Sequence, residues 1–515
     1  MPDLENPEPE AAGEPVTPAR EPVAPGQRAR GAVLVGARIV AGTIGIVVAV
    51  VTVAAAGFLP LPSVSAEPVS TTVVPVPTDQ QRVCAGPILR LGSDTGEEAT
   101  TASSIGTPTV VYAASAGSID ASPLQSTDST TGVTPVELVL PPTKSDPKSV
   151  PLMAGSQTQS VDHGDITGFA AAECREASGD TWLVGGSTTT GRTTLLTLSN
   201  PGEVIATVNL SIYTESGAVT AAGTDGIVVP PGGQRILSLA GFAPGATSPV
   251  VHVRSTGSQV VAGLQQTVVR TLEPGGVDVV GAVASPAREM VIPGLVLSNP
   301  DTIAAHASSP GYEDLASVLR FFVPGRTDAK AQITITPESS TEKPISVEAS
   351  LDAGKVTETP LGDFPDGSYT VTVRSDIPVI AAARASVYSG NDSAAKVDFA
   401  WFVPAPAFHE KALVTVGSGP TPTIHLANLS DHAATVKVTS SRVGTDPTVG
   451  KSITTTVAIP GGGSVALPAT SEDMYSISGF DQLAISVSYV GAGELASYTA
   501  SPAGPASRPI EVYRH

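Results

Sequence analysis

The sequence predicts an all-β protein: tandem immunoglobulin-like β-sandwich domains after one N-terminal transmembrane helix. Three observations carry this expectation. Val, Thr, Ser and Ala dominate a chain of 515 residues in which only 15% are charged, and Val and Thr suit the pleated, half-buried surface of a sheet. Apolar runs of strand length alternate with Gly-, Ser- and Asp-rich joints, as strands alternate with turns. A set of phrases also recurs about every 110 residues, too long for a solenoid repeat and the length of a β-sandwich.

Taken in order, residues 1–38 are rich in Pro, Glu and Ala without apolar periodicity and read as a disordered cytoplasmic leader. Residues 39–59, "IVAGTIGIVVAVVTVAAAGFL", carry no charge. As a helix this segment is roughly 31 Å long, enough to span a hydrocarbon core. Arg20, Arg28, Arg30 and Arg38 precede it, and no Lys or Arg occurs from Pro60 to Gln81. The expected location is therefore the cell membrane, single-pass, with the N-terminus cytoplasmic and the body extracellular. The alternative is a signal peptide cleaved after Val64-Ser65-Ala66, which also exports the body. Residues 60–79 form a Pro/Ser/Thr-rich linker.

Residues 80–186 read as a disulfide-closed β unit. Cys84 and Cys174 are the only cysteines, and two thiols in an oxidising compartment most simply pair. Closing a loop of about 90 residues stabilises by roughly 4–5 kcal/mol in the chain-entropy model. With no CxxC and no third thiol, a thiol-based metal or redox role is not expected.

Three β-sandwiches follow, at 187–290, 291–405 and 406–510. Each is expected to open on an apolar approach: "TWLVGG" with Trp182, "EMVIPG" with Met290, "AWFVPA" with Trp401. Alternating strands follow at Ala206, Ala331 and Ala434, then Gly turns at Gly233, Gly354 and Gly462. Each closes on a two-strand phrase: "VVHVRSTGSQVVAGLQQ", "YTVTVRSDIPVIAAARA" and "LAISVSYVGAGELASYT". Val253 to Val373 is 120 residues and Val373 to Val487 is 114. The phrase is expected to be one hairpin per sandwich. "GYEDLASVLRFF" from Gly311 has apolar residues at helical spacing and predicts a short helical turn passing into a strand. Prolines in "VIPG" and "FVPAPAF" predict stiff junctions. Sandwiches with separate cores would then be strung out as a rod.

"RVCAGP" and "AECREASGDTWLVGGSTTTGRTTLLTLSNPG", whose "NPG" turn opens a strand, carry a resemblance. Over about residues 80–505 the chain resembles an uncharacterised actinobacterial family of exported, membrane-anchored proteins, domain of unknown function five-seven-one-nine. The resemblance implies a membrane-attached extracellular protein, often encoded near envelope glycosyltransferases, and transfers no catalytic residue. The third sandwich has "LANLSDH" in place of the "NPG" turn.

The net charge of −20 argues against nucleic acid and against an anionic membrane surface as partners. No GxSxG, HExxH, Walker A or dinucleotide glycine pattern occurs. Ser145 to Lys148 matches SxxK, but Pro147 interrupts the helix that motif needs. Asp162, His163 and Asp165, and likewise His425, Asp431 and His432, lie close in sequence; a polar loop or strand explains each better than a metal site. No cofactor, catalytic residue or metal ligand is expected. Trp182, Trp401, Phe402 and Phe408 are the candidates for a binding surface, since exposed aromatics stack on sugars or partners; alternation also places Phe399 and Trp401 on one strand face, suited to a core or junction. The expected function is a non-enzymatic, membrane-anchored cell-envelope protein, a structural or binding platform for a protein partner or wall glycan. The alternative is a carbohydrate-active enzyme or accessory in envelope glycan assembly.

Overall fold

The computed structural model describes residues 70–73, 79–92, 101–126, 128–129, 132–142, 151–283, 285–339, 342–362, 364–390, 395–444, 452–503 and 510–513. The predicted transmembrane helix at 39–59, the leader and the Ser145–Lys148 match lie outside these residues. Among the described residues no helix is long and apolar enough to cross a membrane. The chain there is almost all strand, with one α-helix, Pro300–Ala307. The turn after Gly311 is a 3-10 helix, Glu313–Leu315, leading into the strand Val318–Phe322, as the sequence predicts. Cys84 and Cys174 are disulfide-bonded and buried.

From Asp180 onward one strand plan is used three times. In the first repeat Asp180–Val184, Val250–Thr256 and Ala206–Thr214 pair in one sheet. Gly233–Ser238, Arg192–Asn200, Val261–Arg270 and Glu273–Val280 pair in the other. The second repeat has Ala287–Leu297, Ala329–Pro337 and Ile345–Leu351 in one sheet and Val356–Pro360, Val318–Phe322 and Lys396–Phe402 in the other. The third has Lys411–Thr415, Asp473–Ser478, Ala434–Arg442 and Ile453–Ile459, then Ser464–Pro468, Thr423–Asn428, Leu483–Gly491 and Glu494–Thr499. Strict alternation drives this: in Ala206–Thr214 every second side chain, including Val208, Leu210 and Ile212, is buried.

The phrase around Val-Arg-Ser is not a hairpin. Val250–Thr256 lies in one sheet and Val261–Arg270 in the other. In the second repeat the same path is one unbroken strand, Gly367–Ser389, paired first with Ala329–Pro337 and then with Val318–Phe322. A hairpin and a sheet-to-sheet crossing share the local pattern of two apolar runs around a bend, and only distant partners separate them. In the third repeat the corresponding path is Asp473–Ser478 leading to Leu483–Gly491, while the phrase "LAISVSYVGAGELASYT" is itself a hairpin, Leu483–Gly491 with Glu494–Thr499. "AWFVPA" is likewise no opening strand, because Trp401 lies in Lys396–Phe402, the last strand of the second repeat.

The rod is also overturned. Thr72–Ile510 is one compact unit, and its cores run across the repeats. Trp182, Leu196 and Val250 share a core with Phe322, Ile380 and Trp401, while Phe169 and Ala171 join the core of the third repeat. The strand Val318–Phe322 explains how. Leu319 and Phe321 enter their own repeat's core, and Phe322, on the opposite face, enters the neighbour's. A strand buried on both faces packs two units together.

Four strands meet at the centre. Ile166–Glu173, Glu273–Val280, Lys396–Phe402 and Glu494–Thr499 pack in cyclic order, each against the next. Asp398, 0% exposed, accepts backbone N–H bonds from one residue of each. Its Oδ2 takes Phe169 N at 2.8 Å and Leu495 N at 3.1 Å. Its Oδ1 takes Val277 N and Phe399 N, both at 3.0 Å. Gly168 and Gly276 make room, since a Cβ on either would come within 2.8 or 2.6 Å of Oδ1.

Removing this carboxyl leaves four buried N–H groups without a partner, and each orphan costs about 1–3 kcal/mol. Asp398→Ala should therefore lower the stability of the full chain by about 3 kcal/mol or more. Urea unfolding followed by the fluorescence of Trp182 and Trp401, both buried, measures it. A loss below about 1 kcal/mol would show that the four strands do not depend on this group.

Candidate functional site

A cavity of about 480 Å³ lies where the first repeat meets the second, within the usual range for small-ligand pockets. Its chemistry comes from arginines set in apolar strands. Arg320 interrupts "VLRFF" and Arg384 interrupts "AAARAS"; both point from the sheet face that packs on the first repeat, beside Phe322 and Ala382. Arg192 lines the wall. Arg270 reaches the same carboxylate, Asp314, from the neighbouring strand. Asp314 itself is carried by the Glu313–Leu315 turn, held down by Leu315, which packs with Ile303 of the α-helix and with Val397.

The arginines differ in how they are satisfied. Arg320 is saturated: Nε bonds Glu358 Oε1 at 2.8 Å, Nη1 bonds the carbonyls of Gly186 and Pro249 at 2.9 and 3.0 Å, and Nη2 bonds that of Thr247 at 3.3 Å. Its guanidinium lies 4.4 Å from the centre of the Trp401 ring. Asp314 bonds Arg192 at 3.0 Å, Arg270 at 2.8 Å and Arg384 at 3.4 Å. Burial raises the Asp314 carboxyl, but Arg384, Arg270 and Arg192 outweigh it and hold it at about 2. Arg384, 6% exposed, stacks 4.7 Å from the Phe399 ring, and its Nε has no hydrogen-bond partner among the described residues. Three guanidinium groups, Arg192, Arg320 and Arg384, line the cavity with three carboxylates, Asp314, Glu358 and Glu313 at the rim, and Arg270, which bonds Asp314 from outside the lining, leaves one positive charge in excess.

Behind the wall, Asp278 is 0% exposed. One oxygen accepts Trp401 N at 2.7 Å and the other has no partner among the described residues. Burial raises its carboxyl, against the backbone N–H of Trp401 and the charge of Arg384, to about 8. It is thus the protonated acid that sits there at neutral pH.

The aromatic candidates are not surface groups. Trp182, Trp401, Phe402 and Phe408 are 5, 2, 1 and 4% exposed. Trp182 stacks on His252 at 3.9 Å and packs against Phe322. Phe402 and Phe408 fill the cores of the second and third repeats. Trp401 lines the cavity while its face is covered by Arg320, and Phe399 and Trp401 share a junction core, as their alternation predicts. Of the aromatics, Trp182, Phe322, Phe399 and Trp401 meet where the first two repeats join. The arginines are legible in the sequence as charges within apolar strands, Arg320 in "VLRFF" and Arg384 in "AAARAS".

Asp162, His163 and Asp165 lie at the exposed tip of the hairpin Met153–His163/Ile166–Glu173. His425 is separated from Asp431 and His432. His432 is exposed and bonds Asp431 and Asp481 at 2.9 and 2.6 Å, whereas His425 is 0% exposed. Its Nδ1 meets Glu338 Oε2 at 2.5 Å and its Nε2 meets Ser488 Oγ at 2.7 Å. That order of groups imitates a serine-hydrolase triad. Ser488 is 1% exposed, however, and Glu338 also accepts Gly294 N and Thr370 Oγ1. Burial raises the Glu338 carboxyl, but His425, Thr370 and Gly294 outweigh it and bring it below its ordinary value. The group joins the second repeat to the third, and no substrate carbonyl reaches the hydroxyl.

In comparison with known proteins, a model described as "Family of unknown function (DUF5719)" matches residues 128–470, 343 of the 515 residues. No curated protein and no solved structure matches.

The raised acid gives a signed test. From about 4 to about 8 the folded chain holds a proton on Asp278 that the unfolded chain has released, so this group makes stability fall as the pH rises through that window. Asp278→Asn keeps the shape and removes the titration. Its stability relative to the unaltered chain should rise from pH 4 to pH 8, by at most about 5 kcal/mol, measured by urea unfolding across that range. A difference independent of pH would show that Asp278 is ionised at neutral pH.

Proposed function

We propose, on the premise that this chain belongs to the family of unknown function DUF5719, that it is a non-catalytic binding protein of the cell envelope. Its arginine-lined cavity is the binding site, for a wall glycan or a protein partner. One observation carries the reading: every acidic group in the cavity wall except rim Glu313 is committed to an arginine, Glu358 to Arg320 and Asp314 to three guanidinium groups. A glycoside-cleaving pair needs one carboxyl protonated and poised near neutral pH, and Asp314 is held at about 2. Trp401, 2% exposed and with Arg320 over one face, offers no free face for a sugar ring to stack on. Carboxylates converging near Trp401 would otherwise favour the carbohydrate-active alternative.

The body is displayed outside the membrane by the apolar segment 39–59, with the leader inside. The disulfide supports export, since such bonds persist in oxidising compartments. The repeats are tandem immunoglobulin-like sandwiches. In the first, Arg192–Asn200 pairs with Gly233–Ser238 and Ala206–Thr214 with Val250–Thr256, as strands B with E and C with F do in that fold, while Val261–Arg270 joins Arg192–Asn200 in place of Val250–Thr256.

Protease added to intact, wall-stripped cells should remove the chain beyond Ala66 and spare the leader. Protection of the body would overturn the location. A mature chain starting at Glu67 would overturn the anchor and leave export standing.

A further inference from the structure

We infer, resting on the binding role above, that the cavity takes the carboxylate or phosphate group of an acidic saccharide, with Arg384 as the residue that holds the oxyanion. Arg384 is a buried cation without adequate partners. Among the described residues its one ion pair, to Asp314, is 3.4 Å long, and that carboxylate is already shared with Arg192 and Arg270 at shorter range. Its Nε is buried and unbonded among the described residues. A guanidinium offers five donors in a planar fork that fits a carboxylate or phosphate edge. The Nε donor is sealed from the cavity, so an oxyanion pairs with the guanidinium edge of Arg384 that lines it, which lowers the cost of an under-paired buried cation.

The surroundings define the rest of the ligand. Asp278, kept protonated by burial, does not neutralise Arg384. Arg320 contributes charge but no free donor, so it fixes the wall and leaves selection to Arg384. Ser187, Thr189, Thr190, Thr247 and Gln266 also line the cavity, and hydroxyl and amide groups suit the hydroxyls of a sugar. The volume suits a small ligand. A chain of net charge −20 repels a polyanion at long range, which favours an isolated acidic group that enters a local positive pocket.

The test is isothermal titration of the full chain in detergent with glucuronate, glucose 1-phosphate and glucose. One or both acidic sugars should bind, the better of them naming the oxyanion, and at least tenfold more tightly than glucose. The advantage should shrink as salt is added. Arg384→Gln should lose it. Thr190→Trp alters an exposed rim residue and narrows the mouth with Arg384 in place, so it should weaken binding even where Arg384→Gln fails to fold. Equal binding of glucose and the acidic sugars overturns the inference. So does unchanged acidic-sugar binding in a folded Arg384→Gln chain. If proton NMR shows the bound sugar being consumed, the non-catalytic reading fails while the anion site stands. If no acidic sugar binds, the anion site fails and the binding role is left to another partner.

Discussion

The architecture depends on a single carboxyl group. Asp398 sits where four strands converge, and the N–H groups that reach it come from residues 169, 277, 399 and 495. Each strand would otherwise direct an unpaired donor into a dry centre, which proteins rarely tolerate. Burial raises the Asp398 carboxyl well above its ordinary value, with the four donors pulling the other way. The chain accepts that desolvation because one acceptor satisfies four donors at once. Side-chain packing alone would not fix the rotation of the strands about their common centre; four hydrogen bonds of 2.8–3.1 Å to two oxygens do.

Around that centre, the strands of the second repeat work on both faces. One face of Val318–Phe322 and of the later half of Gly367–Ser389 fills its own core, and the other builds the wall against the first repeat. A wholly apolar wall would have held the repeats together as well, since buried ion pairs seldom add net stability over hydrophobic packing. Arg320, Arg384, Asp314 and Glu358 are therefore better explained by the cavity they line than by adhesion.

The sequence made the local rules legible. Alternation at Ala206–Thr214, the Gly turns at Gly233, Gly354 and Gly462, the pairing of Cys84 with Cys174 and the turn at Glu313–Leu315 all follow from neighbours within a few residues or from counting. The relations among distant strands were not legible. "VRSTGSQVVAG" fits a hairpin and a sheet crossing equally well, because either presents two apolar runs and a bend. Nor does an apolar strand reveal whether one face or both are covered, so the rod followed from sequence and the closed packing did not. The site was half legible. An arginine amid Leu319, Phe321 and Phe322 is an anomaly on the page, whereas the meeting of Arg192, Arg270 and Arg384 on Asp314 requires three strands and a turn from two repeats.

The central acid also constrains how such a chain can change by recombination. The four converging strands carry Gly168, Gly276, Asp398 and Glu494 immediately before their donor residues, so the repeats share a plan but occupy distinct stations. A duplicated second repeat would bring a second carboxyl group to a centre with room for one. A lost one would leave three donors facing nothing. Repeats built to a common pattern have thereby become non-interchangeable, and the array is closed to the gain or loss of whole units that open, strung-out repeat proteins tolerate.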